Sequence, residues 1–123
     1  MAIESLTSIP LGTPAAEFSL PDVVTGEKVS LSALPQSRAL LIMFICRHCP
    51  YVTHVRDEIL RIAHDYQPKG VWFVAICSND STAYPDDAPD KLREMAIENK
   101  FPFPLLHDEN QAVAKEYDAQ CTP

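Results

Sequence analysis

Apolar positions along the chain fall into runs of distinct period. Glu17-Phe18-Ser19-Leu20 and Lys28-Val29-Ser30-Leu31 alternate around Pro21-Asp22-Val23-Val24-Thr25-Gly26, which predicts a β-hairpin. Residues 39–45 and 71–77 are continuously apolar and predict strands covered on both faces by helices. Between them Val52, Val55, Ile59, Ile62, Ala63 and Tyr66 recur at three- and four-residue steps. That spacing predicts a helix over 50–66 with one buried stripe, Pro50 in its first turn and a stop at Pro68-Lys69-Gly70. A second helix opens at Asp87-Ala88-Pro89-Asp90, carries Leu92, Met95 and Ala96, and ends near Lys100. Phe101 to Leu106 reads as extended, and Asp108 with Gln111 three residues later predicts a capping box for a last helix through Tyr117. Trp72 and Phe73 are expected in the core.

Strands alternating with helices predict βαβ units and parallel pairing. A right-handed crossover places the two apolar strands together, with their C-terminal ends on one edge of the sheet, where sites form in such folds. Cys46-Arg47-His48-Cys49 follows the first strand at once, and Cys77-Ser78-Asn79-Asp80 follows the second. Chemistry is expected there.

At 123 residues the chain is one domain's worth: a short arm over 1–14 and a folded unit over 15–123. With 46% hydrophobic and 22% charged residues it has ample material for a core. A net charge of −7 makes nucleic acid and anionic membrane surfaces poor partners. No apolar run reaches membrane-spanning length, the longest being Ala39 to Cys46. The N-terminus has neither a basic start nor an apolar signal core, so a cytoplasmic location is expected. In a reducing compartment, cysteines are catalytic, metal-bound or simply buried, and the spacing of the four here decides which to consider first.

A CxxC between an apolar strand and a Pro-containing amphipathic helix is a specific redox signal. Cys46 falls near a helix N-terminus, where unpaired N–H groups and the dipole favour its thiolate. Arg47 and His48 add positive or polarisable charge. Cys49 lies one turn on, within reach of Cys46 and expected to be the more buried of the two. One thiol attacks and the other resolves. A structural zinc site normally needs two further ligands, whereas Cys77 and Cys121 stand alone. Cys77 reads as a small core residue. Cys121, two residues before Pro123, is a candidate third thiol or soft-metal ligand. His54 and His64 read as solvated, His107 as structural, and Tyr84-Pro85-Asp86-Asp87 as a solvated acidic loop.

The stretches FSLPDVVTGEKVSLSAL, LLIMFICRHCPYV, VWFVAICSND, FPFPLLHDENQAVAKEY and CTP together resemble the thioredoxin-like redoxins, the branch that includes AhpC/TSA-related proteins and disulfide reductases. The resemblance spans residues 17–123 and is specific at CRHCP and at the closing Thr-Pro. It implies an α/β thioredoxin-like fold, with an N-terminal hairpin and a central mixed sheet flanked by helices. It also implies oxidoreductase activity of antioxidant type, with Cys46 as nucleophile and Cys49 as resolving thiol. Thr122 and Pro123 take the place of the family's cis-proline turn, which offers backbone to the client. Beyond a redox-active Cys46–Cys49 disulfide no cofactor is expected, and no resident metal.

Several positions depart from the family. Ile45 stands where thioredoxins have Trp, and Leu40 where they carry a buried acid. Asp80 is then the candidate proton acceptor for Cys49, on location alone. The peroxiredoxin pattern PxxxTxxC is not met before Cys46. A thioredoxin fold continues past its cis-proline with two strands and a helix, so the domain is expected to be incomplete at its C-terminus. The open apolar edge at Leu40 to Phe44 is then a route to a homodimer. The expected partners are client protein disulfides and an upstream thiol reductant. The expected function is thiol–disulfide exchange; the alternatives are a soft-metal (copper) module on the same fold and a peroxiredoxin-related peroxide reductase.

Overall fold

The computed structural model describes residues 9–119. Strand β1 (Ser19–Pro21) pairs antiparallel with β2 (Lys28–Ser30), Leu20 opposite Val29, and closes the predicted hairpin. Asp22 holds its turn: the carboxylate accepts the Val24 N–H at 2.8 Å and the carbonyl accepts the Gly26 N–H at 2.8 Å.

The central sheet has the order β3 (Ala39–Phe44), β4 (Val71–Cys77), β5 (Leu105–His107), all parallel. The hairpin turn supplies its antiparallel component through a bridge between Asp22 and Leu106, and the Val23 N–H donates to the Leu105 carbonyl at 2.9 Å. Helix α1 (Pro50–Tyr66) makes the β3-to-β4 crossover, and α2 (Pro89–Glu98) the β4-to-β5 crossover. Gly70, at φ +88°, turns the chain out of α1 into β4; a Cβ there would meet the Arg38 side chain at 3.1 Å.

Alternation along β4 divides the core. Phe73, Ala75 and Cys77 face a cluster with Val52 and Ala63 of α1 and Leu92, Met95 and Ala96 of α2. Val74 and Ile76 face the other way, onto Phe18, Leu106 and Val113. A strand covered on both faces has no solvent side, which is why β4 is apolar without interruption.

Three expectations need correction. Trp72 is 37% exposed, not core, because it sits at the open lower end of β4 near Gly70; Phe73 is buried as expected. The last helix, α3, spans only Ala112–Glu116, starting after Gln111 at φ +63°. Asp108 does cap it, but from further back: its carboxylate accepts the N–H groups of Val113 (3.3 Å) and Ala114 (3.0 Å) and the Ser78 hydroxyl (2.7 Å). Residues 84–86 are exposed as a solvated loop should be, but Asp87 at its end is fully buried.

Candidate active site

The ladder between β3 and β4 extends one residue past β3, with the Ile45 N–H donating to the Ile76 carbonyl at 2.9 Å. Cys46 is therefore still inside the sheet layer, under the α1–α2 face, and is fully buried. Cys49 is the N-cap of α1, with Pro50 exposed at the first helical position. The expected order of burial is thus reversed: Cys49 retains 9% exposure and Cys46 none. The strand carries Cys46 fully into the core, and the start of the helix leaves Cys49 buried at the core's edge. The Cys49 N–H donates to Cys46 Sγ at 3.2 Å, so this helix-terminal amide points at the sulfur. No disulfide joins Cys46 and Cys49 among the described residues.

Arg47 and His48 are met by a segment some forty positions away in sequence. One Asp87 oxygen accepts the N–H of Arg47 at 2.7 Å and that of His48 at 3.2 Å. The other accepts from Asn79 Nδ2 at 3.0 Å and pairs with His48 Nδ1. Tyr84 stacks on the His48 ring, centroids 4.5 Å apart and planes within 6°. Arg47 Nη1 lies 3.5 Å from Asp86. Burial works against ionisation of Asp87, but the donors from Asn79, Arg47 and His48 outweigh it and hold the carboxyl below its ordinary range.

Asp87 was not foreseen as a site residue, because a Tyr-Pro-Asp-Asp run has the composition of a solvated turn. Its one signal was position, just ahead of the helix that returns along the sheet edge carrying the CxxC. Asp80, the candidate proton acceptor, is instead exposed and accepts the Thr82 N–H within its own turn at 2.9 Å. His54 and His64 are exposed, and His107 is buried opposite Cys77 in the β4–β5 register. Cys121, Thr122 and Pro123 lie outside the described residues.

Cys77 ends β4 fully buried. Burial pushes its thiol up to about 12, with the charges of Asp87, Cys46 and Asp108 adding to the effect and a backbone hydrogen bond at Asn79 opposing it. In the folded protein at about pH 9, where an ordinary thiol is largely ionised, Cys77 is expected to stay unmodified by iodoacetamide. Peptide mapping by mass spectrometry checks this, and labelling there would remove Cys77 from the inert core.

Cys46, His48 and Asp87 each bring one donor atom within 4.8 Å of the others, a spacing a metal ion can bridge. The Asp87 carboxylate is already engaged by four donor groups, however, so the cluster is satisfied as a hydrogen-bonded set. Among the described residues no helix is long and apolar enough to cross a membrane.

An AhpC/TSA family model matches residues 11–123. The fold is similar to that of an uncharacterized conserved protein of Geobacillus kaustophilus (TM-score 0.89, 53% identity, 93% of this chain and 60% of that one). It is also similar to a hypothetical protein of Sinorhizobium meliloti (TM-score 0.90, 41% identity, 95% and 63%). The chain therefore spans less than two thirds of the length of either. No curated protein matches the sequence. A secreted disulfide oxidoreductase of Mycobacterium tuberculosis shares the fold (TM-score 0.70, 16% identity, 86% and 71%). That likeness overturns the cytoplasmic expectation, since this fold also serves a secreted protein. By the extent of the family match and the architecture, the chain belongs to the AhpC/TSA family, in the thioredoxin-like superfamily whose chemistry is thiol-based redox.

Proposed function

We propose that the protein is a dithiol oxidoreductase in which Cys46 and Cys49 cycle between two thiols and one disulfide. The observation that carries this reading is their adjacency at the sheet edge, with the Cys49 amide donating to Cys46 Sγ at 3.2 Å. In exchange with a client, the Cys46 thiolate attacks one sulfur of the client disulfide and the other leaves as a thiolate that takes a proton. Cys49 then gives up its proton and attacks Cys46 Sγ. The client leaves with both its sulfurs reduced, two electrons and two protons having passed to it. An upstream thiol reductant returns the Cys46–Cys49 disulfide to the dithiol.

A second reading concerns the oxidant. Two observations favour peroxide over a protein disulfide: the family matched is AhpC/TSA, and Cys46 is fully buried, beneath the surface a protein client would touch. Cys46 attacks the terminal peroxide oxygen, becoming a sulfenic acid as the O–O bond breaks and an alcohol or water leaves. Cys49 then displaces hydroxide as water and forms the same disulfide. Ala39 to Ile45 holds neither the Pro nor the Thr of peroxiredoxins, so this step lacks their usual activation.

Titration of the metal-stripped protein in glutathione buffers, read by differential alkylation and mass spectrometry, tests the dithiol. A reversible two-electron transition is expected between about −270 and −120 mV, the range of known thioredoxin-fold dithiols. No transition would defeat the reading, and thiols that in the protein before stripping stay protected until a chelator is added would put the soft-metal alternative in its place. Loss of one peroxide per disulfide formed, against a matched oxidised-glutathione reaction, separates the two oxidants.

A further inference from the structure

The loop Arg47-His48 carries the side chains that a sequence reading assigns to activating Cys46, yet the fold sets an acid against each of them. We infer that Asp87 is a positioning residue that restrains the acidity of Cys46 and so sets the site toward the reducing end of its range. This rests on the dithiol reading above and specifies its direction.

The geometry acts in two ways. Asp87 accepts the two loop N–H groups, of Arg47 and His48, and so fixes the backbone that follows Cys46 against its carboxylate. It also places a buried carboxylate within 4.8 Å of Cys46 Sγ, where a like charge disfavours a thiolate. His48 offsets part of that charge through Nδ1, and Tyr84, stacked on the ring, holds the imidazole in that pairing. Among the described residues, the other ionisable groups around Cys46 are Cys49 and Arg47 on its own loop, Tyr84 over His48, Cys77 at the end of β4, Asp86 beside Arg47, and Asp108 beyond Cys77. A thiolate stabilised in the reduced state makes a dithiol oxidising; restraining it makes the disulfide harder to reduce and the dithiol a better reductant.

The test is the pH midpoint of Cys46 alkylation, read on its peptide by mass spectrometry. A midpoint reports ionisation, whereas a looser loop would change only the absolute rate. Asp87→Asn keeps the size and one acceptor oxygen but removes the charge, and is expected to lower the midpoint by about one unit. Read at a pH above both midpoints, the exchange equilibrium, in which the dithiol and oxidised glutathione give the Cys46–Cys49 disulfide and two reduced glutathiones, should shift about tenfold toward the dithiol, or about 30 mV. Asp86→Asn, an equal but exposed charge, is expected to move the midpoint far less. His48→Gln strips the imidazole from a carboxylate that stays in place and is expected to raise the midpoint, which keeps the test open should Asp87→Asn fail to fold. An unchanged or raised midpoint in Asp87→Asn, an equal shift in Asp86→Asn, or an unchanged or lowered one in His48→Gln overturns the proposal. A wild-type protein with no glutathione-reversible disulfide defeats the dithiol reading instead, and the alkylation midpoints still decide the role of Asp87.

Discussion

Replacing Cys46 with serine is expected to abolish disulfide formation and turnover, while Cys49→Ser stops the cycle one step later. A serine hydroxyl is not ionised near neutrality and cannot form a disulfide, so the loss is at least about a thousandfold in rate. In Cys49→Ser the first attack still occurs, because Cys46 keeps its place in the sheet layer and the backbone N–H at position 49 still points at its sulfur. The mixed disulfide then has no internal thiol to resolve it and accumulates. Incubation with glutathione disulfide and intact-mass measurement read this directly: one glutathione adduct on Cys49→Ser, none on Cys46→Ser. An adduct of equal yield on Cys46→Ser would hand the nucleophile's role to Cys49, which the 9% exposure of that residue against none for Cys46 makes the alternative worth measuring.

The second large effect is on stability. Leu92 is fully buried on α2, where it packs with Met95 and Ala96 against the face of β4 that carries Phe73, Ala75 and Cys77. Truncation to alanine leaves a cavity that neighbours on two helices and a central strand can only partly fill. The expected cost is about 2–5 kcal/mol, a large share of the roughly 5–15 kcal/mol that holds a domain together. Leu92→Met conserves volume and should cost less than about 1.5 kcal/mol. Urea denaturation midpoints at constant slope measure both. Because α2 follows directly on the Tyr84–Asp87 segment, Leu92→Ala should also loosen the clamp on His48. Near-equal midpoints for the two variants would mean that the cluster collapses around the gap.

Much of the architecture was legible in local pattern. Helix α1 was bounded within its true residues by Pro50 and Gly70, because a proline fits a first turn and a glycine ends one at positive φ. Strand β4 was legible because burial on both faces leaves an unbroken apolar run. Trp72 belonged to the same run yet is partly exposed, since residue type does not reveal which end of a strand the helices leave uncovered. The capping pair at Asp108 and Gln111 named a true cap and misplaced the helix, because a carboxylate three residues before the N-cap reaches the N–H groups of the first turn when Gln111 turns left-handed.

The site divides along the same line. Cys46 and Cys49 are three residues apart at a strand-to-helix junction, and spacing alone puts them together at one sheet edge. Their relative burial depends on how far the sheet ladder runs past β3, a matter of pairing with Ile76 that no local pattern encodes. Asp87 is further from view still. Its composition is that of a solvent-facing turn, and its burial follows from the α2 crossover bringing residues 84–87 back over residues 47–48. Short-range propensity and periodicity act over a few residues and so are written in the chain. The contact of a carboxylate with amides some forty positions distant exists once the whole sheet and both crossover helices have closed.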